Sequence, residues 1–553
     1  MSTLLNTWEN TPSLGGVIQY FAILAGVAFA GTVLLEGTRH CPNSLPARMA
    51  GFCWTYRNRG ILSSSSANGD WIPKPKGQAF KGNSQELQTK GAASCKAWYS
   101  LYQRYGPAYE ITVPYFRLHV INHPRYLEHI QKTKSKNYIR GAFTRNVFGK
   151  LHRSGIFVAD GKEWQAQRKA ATRAFSKQNF ERHITKSLHH CLDILMRLLS
   201  NLAKTGTEFD FQELMGRFIF CIFLRMAFHE DELALDIMSD KPESLNSIPK
   251  YVEAFDKATH LFDRRRRDPI WKLTEKLSGE DKITDQAVSL FYEQMDALVK
   301  KRMDAIASGY KYNPEDGGVD LLDLFMQSTN DPYELSGMVF AFLIAGRDTT
   351  TYSTAWLMKE IFHDDNKHLD AVSKIRAEAK EVIADGGYLE YANTSKMHFT
   401  HAMWDETSRL NTVSPAGQME AAEDDVLPAV PELNMPPRKI KKGDIVSYQN
   451  YVLSRMPEVW GDDAFEFKPE RWFDEDGKTI SFSPFKYHSW NAGPRSCLGR
   501  PLATYEGISI AAAIIQRFDV IMSDTTKTYE PLAALNMGVK DGVKMRVRKR
   551  EDI

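Results

Sequence analysis

Cys497 is the residue whose neighbours most favour chemistry at a side chain. It lies in the segment FSPFKYHSWNAGPRSCLGRPLATYEG at positions 482–507. Two glycines, Gly493 and Gly499, permit a tight loop whose backbone N–H groups can approach the sulfur. Arg495 adds positive charge, and the apolar helix expected after Gly499 directs the positive end of its dipole toward the loop. Such surroundings favour the thiolate, which is the form of cysteine that ligates metals. The alternative is a buried structural cysteine in a glycine loop.

A second unusual segment is AGRDTT at positions 345–350, inside a long apolar helical run from 335 to 362. Glycine is about 1 kcal/mol less favourable than alanine within a helix, and a row of threonines is an odd choice for a core helix. A helix that leaves room for a ligand beside its backbone explains both features. The alternative is a helix bent by its own hydroxyl side chains.

Two further motifs have helical spacing. Glu406 and Arg409 are three positions apart and Trp164 and Arg168 are four apart, so each pair shares one helix face. Taken alone, the first pair is typical of a surface ion pair worth roughly a few tenths of a kcal/mol. The second is typical of a packed tryptophan beside an exposed arginine. Another arginine, Arg471, follows in the sequence PERW.

The string WNAGPRSCLG at positions 490–499 resembles the cysteine-loop signature of the cytochrome P450 family. The WxxxR, AGRDTT, ExxR and PERW motifs precede it in the order that the family has, and the resemblance covers roughly residues 100–550. One position departs from the pattern, because Trp490 stands where the family usually has phenylalanine. Tryptophan keeps an aromatic ring beneath the loop and adds an indole N–H group.

The resemblance implies a haem-thiolate enzyme that binds haem b (iron protoporphyrin IX) and uses O2 as a co-substrate. Cys497 is then the axial iron ligand, since thiolate ligation favours O–O cleavage. Asp348 and Thr349 match the family's acid–alcohol pair, which relays protons to oxygen. The resemblance assigns a buried structural network on the haem side to Glu406, Arg409 and Arg471. It assigns haem binding to Trp164, Arg168, Trp490, Gly493, Arg495 and Gly499.

Finer features resemble the fatty-acid and alkane ω-hydroxylase branch of eukaryotic membrane-bound members. They include AGRDTT, DPIWKL at 268–273 and LNMG at 535–538. The expected reaction inserts one oxygen atom from O2 into a C–H bond of a lipophilic substrate, as in fatty-acid ω-hydroxylation. The alternatives are a sterol or xenobiotic substrate, a non-oxygenating haem-thiolate isomerase, and a non-enzymatic haem-binding protein. The retained Asp348 and Thr349 argue against the isomerase.

An apolar pocket fits an alkyl chain, which gains about 0.8 kcal/mol per buried methylene. A second departure affects this pocket, because the branch usually carries an arginine within 415–428 that reaches a haem propionate, and Met419 takes its place. A substrate carboxylate is expected near the entrance, at Arg140 or Arg145, although solvated loop charges are the alternative for these arginines. The expected pocket residues are Phe340, Phe342, Ala345, Val413, Met419, Leu535 and Met537.

Composition and length constrain the partners. The 71 Lys+Arg residues nearly balance the 68 Asp+Glu residues, so the charge gives no argument for nucleic acid. The six cysteines are widely spaced with no CxxC pair, which leaves a zinc module or a thioredoxin-type centre unsupported. Only 56 residues follow Cys497 (553 − 497), too few for a flavin domain. We therefore expect electrons from NADPH through a separate flavoprotein reductase.

The elements that must position these motifs are mainly α-helices with smaller β parts, in a cytochrome P450 fold. A hairpin is expected at 109–121, a strand-rich stretch at 416–452, and further strand signals near 533–548. Helices are expected near 123–135, 160–176, 179–204, 208–228, 283–308, 333–362, 365–385 and 395–410, and from Cys497 to about Arg517.

Residues 14–35 are a run of 22 uncharged residues, and about 20 apolar residues span a bilayer as a helix. Arginines follow the run, which predicts that the body of the protein faces the cytosol. The expected organisation is a tail at 1–13, one transmembrane anchor at 14–35, a linker with a proline-containing hinge at 36–84 and a monooxygenase domain at 85–553, in the endoplasmic reticulum membrane. The alternatives are a cleaved signal peptide and a buried helix.

Overall fold

A computed structural model describes residues 92–113, 116–153, 155–230, 232–267, 271–309, 320–533 and 535–551. The expected tail, transmembrane anchor and linker at residues 1–84 lie outside this part of the chain. Within the described residues, no helix combines the length and apolar character that crossing a membrane requires. The described chain is mainly helical with small sheets, which confirms the fold class at that level.

The helices match most of the sequence pattern. Those expected near 160–176, 208–228, 333–362 and 395–410 are confirmed to within three residues at each end. The helices are α1 Ala92–Tyr105, α2 Pro124–Glu128, α3 Gly141–His152, α4 Gly161–Ala174, α5 Lys177–Asn179, α6 Thr185–Thr205, α7 Phe211–Phe228, α8 Glu232–Ile237, α9 Lys250–Arg267, α10 Trp271–Ser278, α11 Glu280–Ala307, α12 Leu321–Met326, α13 Pro332–Phe362, α14 Ala371–Val382, α15 His398–Leu410, α16 Asn450–Leu453, α17 Pro457–Trp460 and α18 Arg500–Arg517.

Strands form small sheets beside the helices. The hairpin expected at 109–121 is confirmed as the antiparallel pair β1–β2. The largest sheet has the order β1-β2-β8-β5-β3, and smaller sheets have the orders β4-β12-β9, β6-β7 and β10-β11. The strands are β1 Ala108–Val113, β2 Phe116–Ile121, β3 Tyr138–Ile139, β4 Phe209–Asp210, β5 Gly417–Ala421, β6 Asp425–Leu427, β7 Arg438–Ile440, β8 Ile445–Tyr448, β9 Phe518–Met522, β10 Pro531–Ala533, β11 Met537–Val539 and β12 Lys544–Lys549.

The sequence pattern missed several helices, among them α1, α3 and α9. Helix α9 reads KYVEAFDKATHLFDRRRR and is strongly polar, so its apolar signal is weak. Its buried side chains include Val252, Phe255, Ala258 and Phe262, which lie three or four positions apart. This spacing makes a narrow apolar stripe, and packing of that stripe against the core stabilises a helix whose composition favours solvent.

Helix α13 runs through the centre of the described core. Asp331 caps its first turn by accepting a hydrogen bond from the backbone N–H of Tyr333, and Pro332 occupies a first-turn position where its missing N–H has no cost. Most of its side chains are buried, on all sides of the helix. Helices α7, α11 and α18 pack against it. The segment AGRDTT is thus held on a rigid element surrounded by protein.

Candidate active site

The loop that carries Cys497 is a series of tight turns before helix α18. The backbone N–H of Cys497 donates to the carbonyl of Trp490 at 2.8 Å, and the N–H of Ser496 donates to the carbonyl of Gly493 at 3.0 Å. Gly493 has φ +66°, and a Cβ atom there would lie 1.8 Å from the carbonyl oxygen of Gln131. Only glycine meets both conditions, so this residue fixes the path of the loop.

The electrostatics of the Cys497 thiol have opposing contributions. Burial is the largest influence and leaves its pKa above the usual value for cysteine, although backbone N–H groups of Gly499 and Arg500 and the positive charges of Arg168 and Arg500 act in the opposite direction. The side chain nevertheless keeps an exposed surface. A thiol that is desolvated by surrounding protein and is still accessible lies in a recess. Hydrogen bonds and cations directed at an accessible sulfur are the donor set that a thiolate metal ligand needs.

An arginine cluster lies beside this loop. The guanidinium of Arg495 pairs with Asp160 at 2.8 Å, and burial together with the nearby charge of Arg140 lowers the pKa of Arg495 to about 10. Arg145 pairs with the same aspartate at 2.7 Å. Arg168 makes no ion pair with any other residue that the structure describes. Arg145 and Arg495 thus share the carboxylate of Asp160, while the guanidinium of Arg140 bonds to a backbone carbonyl. The surplus of positive charge among these arginines fits an anionic ligand.

Trp164 and Arg168 both lie on helix α4, four positions apart. The ring centroid of Trp164 is 4.5 Å from the guanidinium carbon of Arg495, a cation–π contact. Burial lowers the pKa of Arg168, and the charge of Cys497 raises it. The structure therefore brings the expected haem-binding residues of α4 into the surroundings of the cysteine loop.

The residues of α13 near Gly346 are accessible on one face. Phe342, Ala345, Gly346 and Thr349 are half-buried, at the spacing of one helical stripe, in a part of the helix whose other side chains are buried. A Cβ atom added to Gly346 would meet no atom within 4 Å. This stripe therefore borders open space inside the protein.

Phe340 lies on the opposite face of α13 from that stripe. It is 1% exposed and packs against the rings of Phe291, at a centroid distance of 4.8 Å, and Tyr292, at 5.3 Å. The expectation that Phe340 lines the same pocket as Phe342 does not fit this geometry. The two residues are two positions apart, and each position rotates the side chain by about 100° around the helix, so they point to different faces. The sequence alone did not reveal which of these faces meets the open space.

Helix α18 connects the two sides of the site. Its buried Glu506 hydrogen-bonds Thr350 of α13. Glu506 lies six residues after the start of α18 at Arg500, which is a rise of about 9 Å along a helix. Since Cys497 immediately precedes that helix, the cysteine loop and the accessible stripe of α13 lie at the same end of α18. Burial raises the pKa of Glu506 to about 8.

Asp348 lies next to the accessible stripe rather than within it. Its carboxylate accepts from the guanidinium of Arg347 at 2.7 Å, and the same Arg347 nitrogen donates to Asp256 of α9 at 2.5 Å. Burial raises the pKa of Asp348, and the charge of Arg347 lowers it. The hydroxyl of Thr349 donates to the backbone carbonyl of Ala345, one turn earlier in the helix. The acid and the alcohol therefore have separate partners.

Glu406 and Arg409 of α15 are completely buried and make two parallel hydrogen bonds, at 2.7 and 2.8 Å. Glu406 also accepts from Arg471 at 3.3 Å and from the indole N–H of Trp472 at 3.1 Å. The remaining N–H groups of Arg409 donate to backbone carbonyls of Ser454, Ala464 and Glu466. The expected trio thus forms one network that joins α15 to the long connection before the cysteine loop.

The other expected pocket residues fall into two places. The backbone N–H of Met537 donates to the carbonyl of Val413 at 2.7 Å, with Leu535 two residues away and half-buried. Met419 lies on β5 and is buried in a different apolar cluster, with Tyr138 and Val446. Next to Met419, the carbonyl of Gln418 accepts from Arg140 at 3.4 Å.

Arg140, like Arg145, was expected either near a substrate carboxylate at the pocket entrance or as a solvated loop charge. Its guanidinium lies near Arg495 and reaches β5, the strand that carries Met419. Its Nε atom is buried and has no hydrogen-bond partner among the described residues. No local pattern reveals this contact, because residues 140 and 418 are 278 positions apart.

Comparison with known proteins agrees with this geometry. The cytochrome P450 family model matches residues 72–540. The chain belongs to the cytochrome P450 family. The protein named cytochrome P450 monooxygenase cyp1 of Mycosarcoma maydis is 33% identical over 437 residues, which cover 76% of this chain and 66% of that protein. Cytochrome P450 94B1 of Arabidopsis thaliana is 29% identical over 82% of this chain and 87% of its own, and cytochrome P450 94A1 of Vicia sativa is 28% identical over 78% and 82%.

Membership makes the chain a monooxygenase, an oxidoreductase of a family that uses haem iron, O2 and electrons supplied by a reductase. The residues around the cysteine loop fit such a group. They provide an accessible thiol with N–H donors, a surplus of arginines for anionic propionates, and an open stripe on α13 beside Gly346.

Proposed function

We propose that the protein binds haem b with Cys497 as the axial iron ligand and hydroxylates fatty acids at or near the terminal carbon. The observation that carries the first part is the accessible sulfur of Cys497, toward which two backbone N–H groups and two arginine charges are directed. Gly499 lies next to the sulfur, since a Cβ atom there would be in van der Waals contact with it at 4.0 Å. An inert structural cysteine needs none of these donors.

The haem propionates are held by Arg168 and Arg495, with the Trp164 ring stacked on Arg495. Arg140 takes the part of the arginine missing near Met419, because its buried and unpaired Nε lies in the same cluster. Charge-assisted hydrogen bonds to carboxylates are the strong class of such contacts. Arg145 is half-exposed and already paired with Asp160, so it lies at the solvent-facing edge of the arginine cluster.

When bound, the haem supplies oxygen activation for insertion of one oxygen atom into a substrate C–H bond. The side chains of the protein supply the proton relay and the walls of the substrate pocket. Thr349 lies on the accessible stripe and carries a hydroxyl, and the buried acid Asp348 before it in the sequence is the proposed source of the proton. A carboxyl group whose pKa burial raises is a better proton donor near neutral pH than an ordinary aspartate.

The substrate proposal rests on resemblance to the ω-hydroxylase branch and on apolar side chains at the site. Phe342 and Ala345 of α13 lie on the accessible stripe, and Val413 and Leu535 are half-buried and close to each other along the chain fold. Apolar walls hold an alkyl chain, and a terminal methyl group must be fixed in place because its C–H bonds are stronger than those one carbon inward. A sterol is the second candidate, since the same walls accept rings.

The electron donor that we propose is an NADPH-dependent flavoprotein reductase at the endoplasmic reticulum membrane. The reductase is proposed because the family takes its electrons from one, and the membrane location because residues 14–35 have the length and lack of charge that suit a single transmembrane helix. Deletion of residues 1–36 should release much of the protein from the membrane fraction while the haem spectrum is retained. Equal membrane retention of the truncated and full chains would exclude this segment as the sole anchor.

The axial ligand is tested by Cys497→Ser, with Cys191→Ala in helix α6 as the matched control. We expect the wild type and the control to give the red-shifted Soret band of a thiolate-ligated ferrous carbon-monoxide complex, and Cys497→Ser to lose it. Persistence of that band in Cys497→Ser contradicts the ligand assignment.

The substrate class is tested by adding a series of fatty acids and a sterol to the purified protein. Fatty acids should shift the haem spin state, and with reductase and NADPH they should yield products hydroxylated near the terminal carbon. A spin shift and product with the sterol, and neither with any fatty acid, would leave the monooxygenase and remove the fatty-acid proposal.

A further inference from the structure

Trp490, which stands in place of the usual phenylalanine, carries an indole N–H whose direction the structure defines. That N–H donates to the hydroxyl of Tyr487 at 3.0 Å. The hydroxyl of Tyr487 donates in turn to the carboxylate of Asp405 at 2.9 Å. Both Tyr487 and Asp405 are buried, so these hydrogen bonds are shielded from competition with water.

An indole ring has one donor and no acceptor, so a Trp490 N–H that is bonded to Tyr487 is not available to the sulfur of Cys497. The two residues are close in the chain fold, because the backbone N–H of Cys497 donates to the carbonyl of Trp490 at 2.8 Å. The sulfur receives its hydrogen bonds from the backbone of Gly499 and Arg500 instead. Trp490 therefore belongs to the same small loop as the sulfur, and the loss of the Tyr487 hydroxyl would leave its indole N–H without this acceptor.

Asp405 also lies near a residue that donates to the sulfur. Its carboxylate lies 3.9 Å from the guanidinium of Arg500, the residue whose backbone N–H bonds to Cys497. The Arg500 guanidinium lies 5.5 Å from the ring centroid of Tyr487 and 5.7 Å from that of Trp490. One carboxylate on α15, next to Glu406 in the sequence, therefore holds the tyrosine that accepts from Trp490 and lies near the arginine whose backbone N–H donates to the sulfur.

We propose that Tyr487 and Asp405 are positioning residues that keep the Trp490 indole N–H away from the Cys497 sulfur and so preserve the electron donation of the thiolate. This inference rests on the proposed ligation by Cys497. A hydrogen bond to a thiolate withdraws electron density from it, and hydrogen bonds to the sulfur are among the factors that set the reduction potential of thiolate-ligated centres. Tryptophan thus keeps the packing of an aromatic ring here without weakening the ligand.

The experiment is a double-mutant cycle on the haem-loaded protein, with Tyr487→Phe, Trp490→Phe and the double variant. Tyr487→Phe removes the acceptor, and the freed indole N–H turns to the sulfur. We expect its haem reduction potential to rise, its Fe–S stretching frequency to fall and its carbon-monoxide Soret band to move toward shorter wavelength. Trp490→Phe and the double variant should match the wild type in all three, because neither has an indole N–H.

Tyr388→Phe is the matched control, since Tyr388 also donates to an aspartate, Asp193, at 2.8 Å, but is remote in sequence from the loop. It should change none of the three measurements. A wild-type potential in a haem-loaded Tyr487→Phe overturns the proposal. If Tyr487→Phe does not retain haem, Trp490→Phe decides alone, because a lower potential there than in the wild type means that the indole N–H was already on the sulfur. Failure of Cys497 ligation is recognised separately, by a wild type without the thiolate-type Soret band.

Discussion

Two buried carboxylates, Glu406 on α15 and Asp348 on α13, have opposite surroundings. Glu406 accepts five hydrogen bonds, from Arg409 twice, from Arg471, from Trp472 and from the backbone of Lys468. Asp348 accepts from Arg347, whose guanidinium it shares with Asp256. Five donated hydrogen bonds therefore fix the carboxylate of Glu406, whereas among the described residues one cation, Arg347, pairs with the carboxylate of Asp348.

This contrast distinguishes a carboxylate that stabilises the fold from one that can take part in proton transfer. A buried carboxylate with all its acceptor positions filled is fixed in place, and removing it leaves uncompensated arginines. A buried carboxylate with one shared partner keeps a raised pKa and can change partner, which a proton donor requires. Sequence motifs mark both residues as important, but only the number of donors distinguishes their roles.

The largest expected effect is that of Glu406→Ala. Arg409 is completely buried and would lose its carboxylate partner, which costs roughly 3–5 kcal/mol in the free energy of unfolding. Chemical denaturation and the haem content of the purified protein measure this loss. Glu381→Ala, at an exposed position of the neighbouring helix α14, is the control and should be close to the wild type. A stable, haem-loaded Glu406→Ala would show that the network is dispensable.

Asp348→Asn should have the opposite profile. Loss of a positioned proton donor lowers the rate by about 10²-fold or more, while the free energy of unfolding should change far less than in Glu406→Ala, because burial disfavours the charge of Asp348. Turnover with reductase and a denaturation curve measure the two quantities. Glu334→Gln, in the first turn of the same helix, should leave both unchanged. An Asp348→Asn protein with wild-type turnover would remove Asp348 from the relay.

Glu506 is a third buried carboxyl group, and it is hydrogen-bonded to the hydroxyl of Thr350. Its pKa of about 8 in the folded chain lies above the unfolded value near 4.5, so the folded state retains its proton over this interval. The stability contributed is therefore full below about pH 4.5 and is lost as the pH rises toward 8, by up to about 1.4 kcal/mol per unit. The free energy of unfolding of the wild type relative to Glu506→Gln should fall with that slope. Parallel pH profiles would contradict the raised pKa.

The smallest effect is expected for Asp256→Asn. Asp256 is half-exposed and shares Arg347 with Asp348, so its loss should tighten the Arg347–Asp348 pair and slow turnover by roughly two- to threefold, since partly exposed ion pairs contribute little. Glu253→Gln on the same helix α9, which breaks an exposed pair with Lys257, is the matched control. Turnover measured for both variants tests the sharing. Equal turnover rates of Asp256→Asn and Glu253→Gln would mean that Asp256 does not influence Asp348.

Much of the fold was predictable because its signals are local. The hairpin β1–β2 follows from alternating β-branched and aromatic residues, and helix α13 from a long apolar run with a proline at its start. Helix α9 was missed because its composition is polar and its stability comes from a stripe that packs against the core. Local patterns carry no information on such a contact before the partner surface exists.

The sequence by itself determined the cysteine loop, the family to which the chain belongs and the order of its motifs, because glycine conformation and residue spacing are properties of short segments. Only the tertiary structure decided that Arg140 joins Arg495, that Phe340 turns to the aromatic core, and that the Trp490 N–H is bonded to Tyr487. Each of these depends on which donor, acceptor or ring a side chain meets in the folded chain. A buried polar group must find such a partner when water is excluded, and that partner is set by packing between elements distant in sequence.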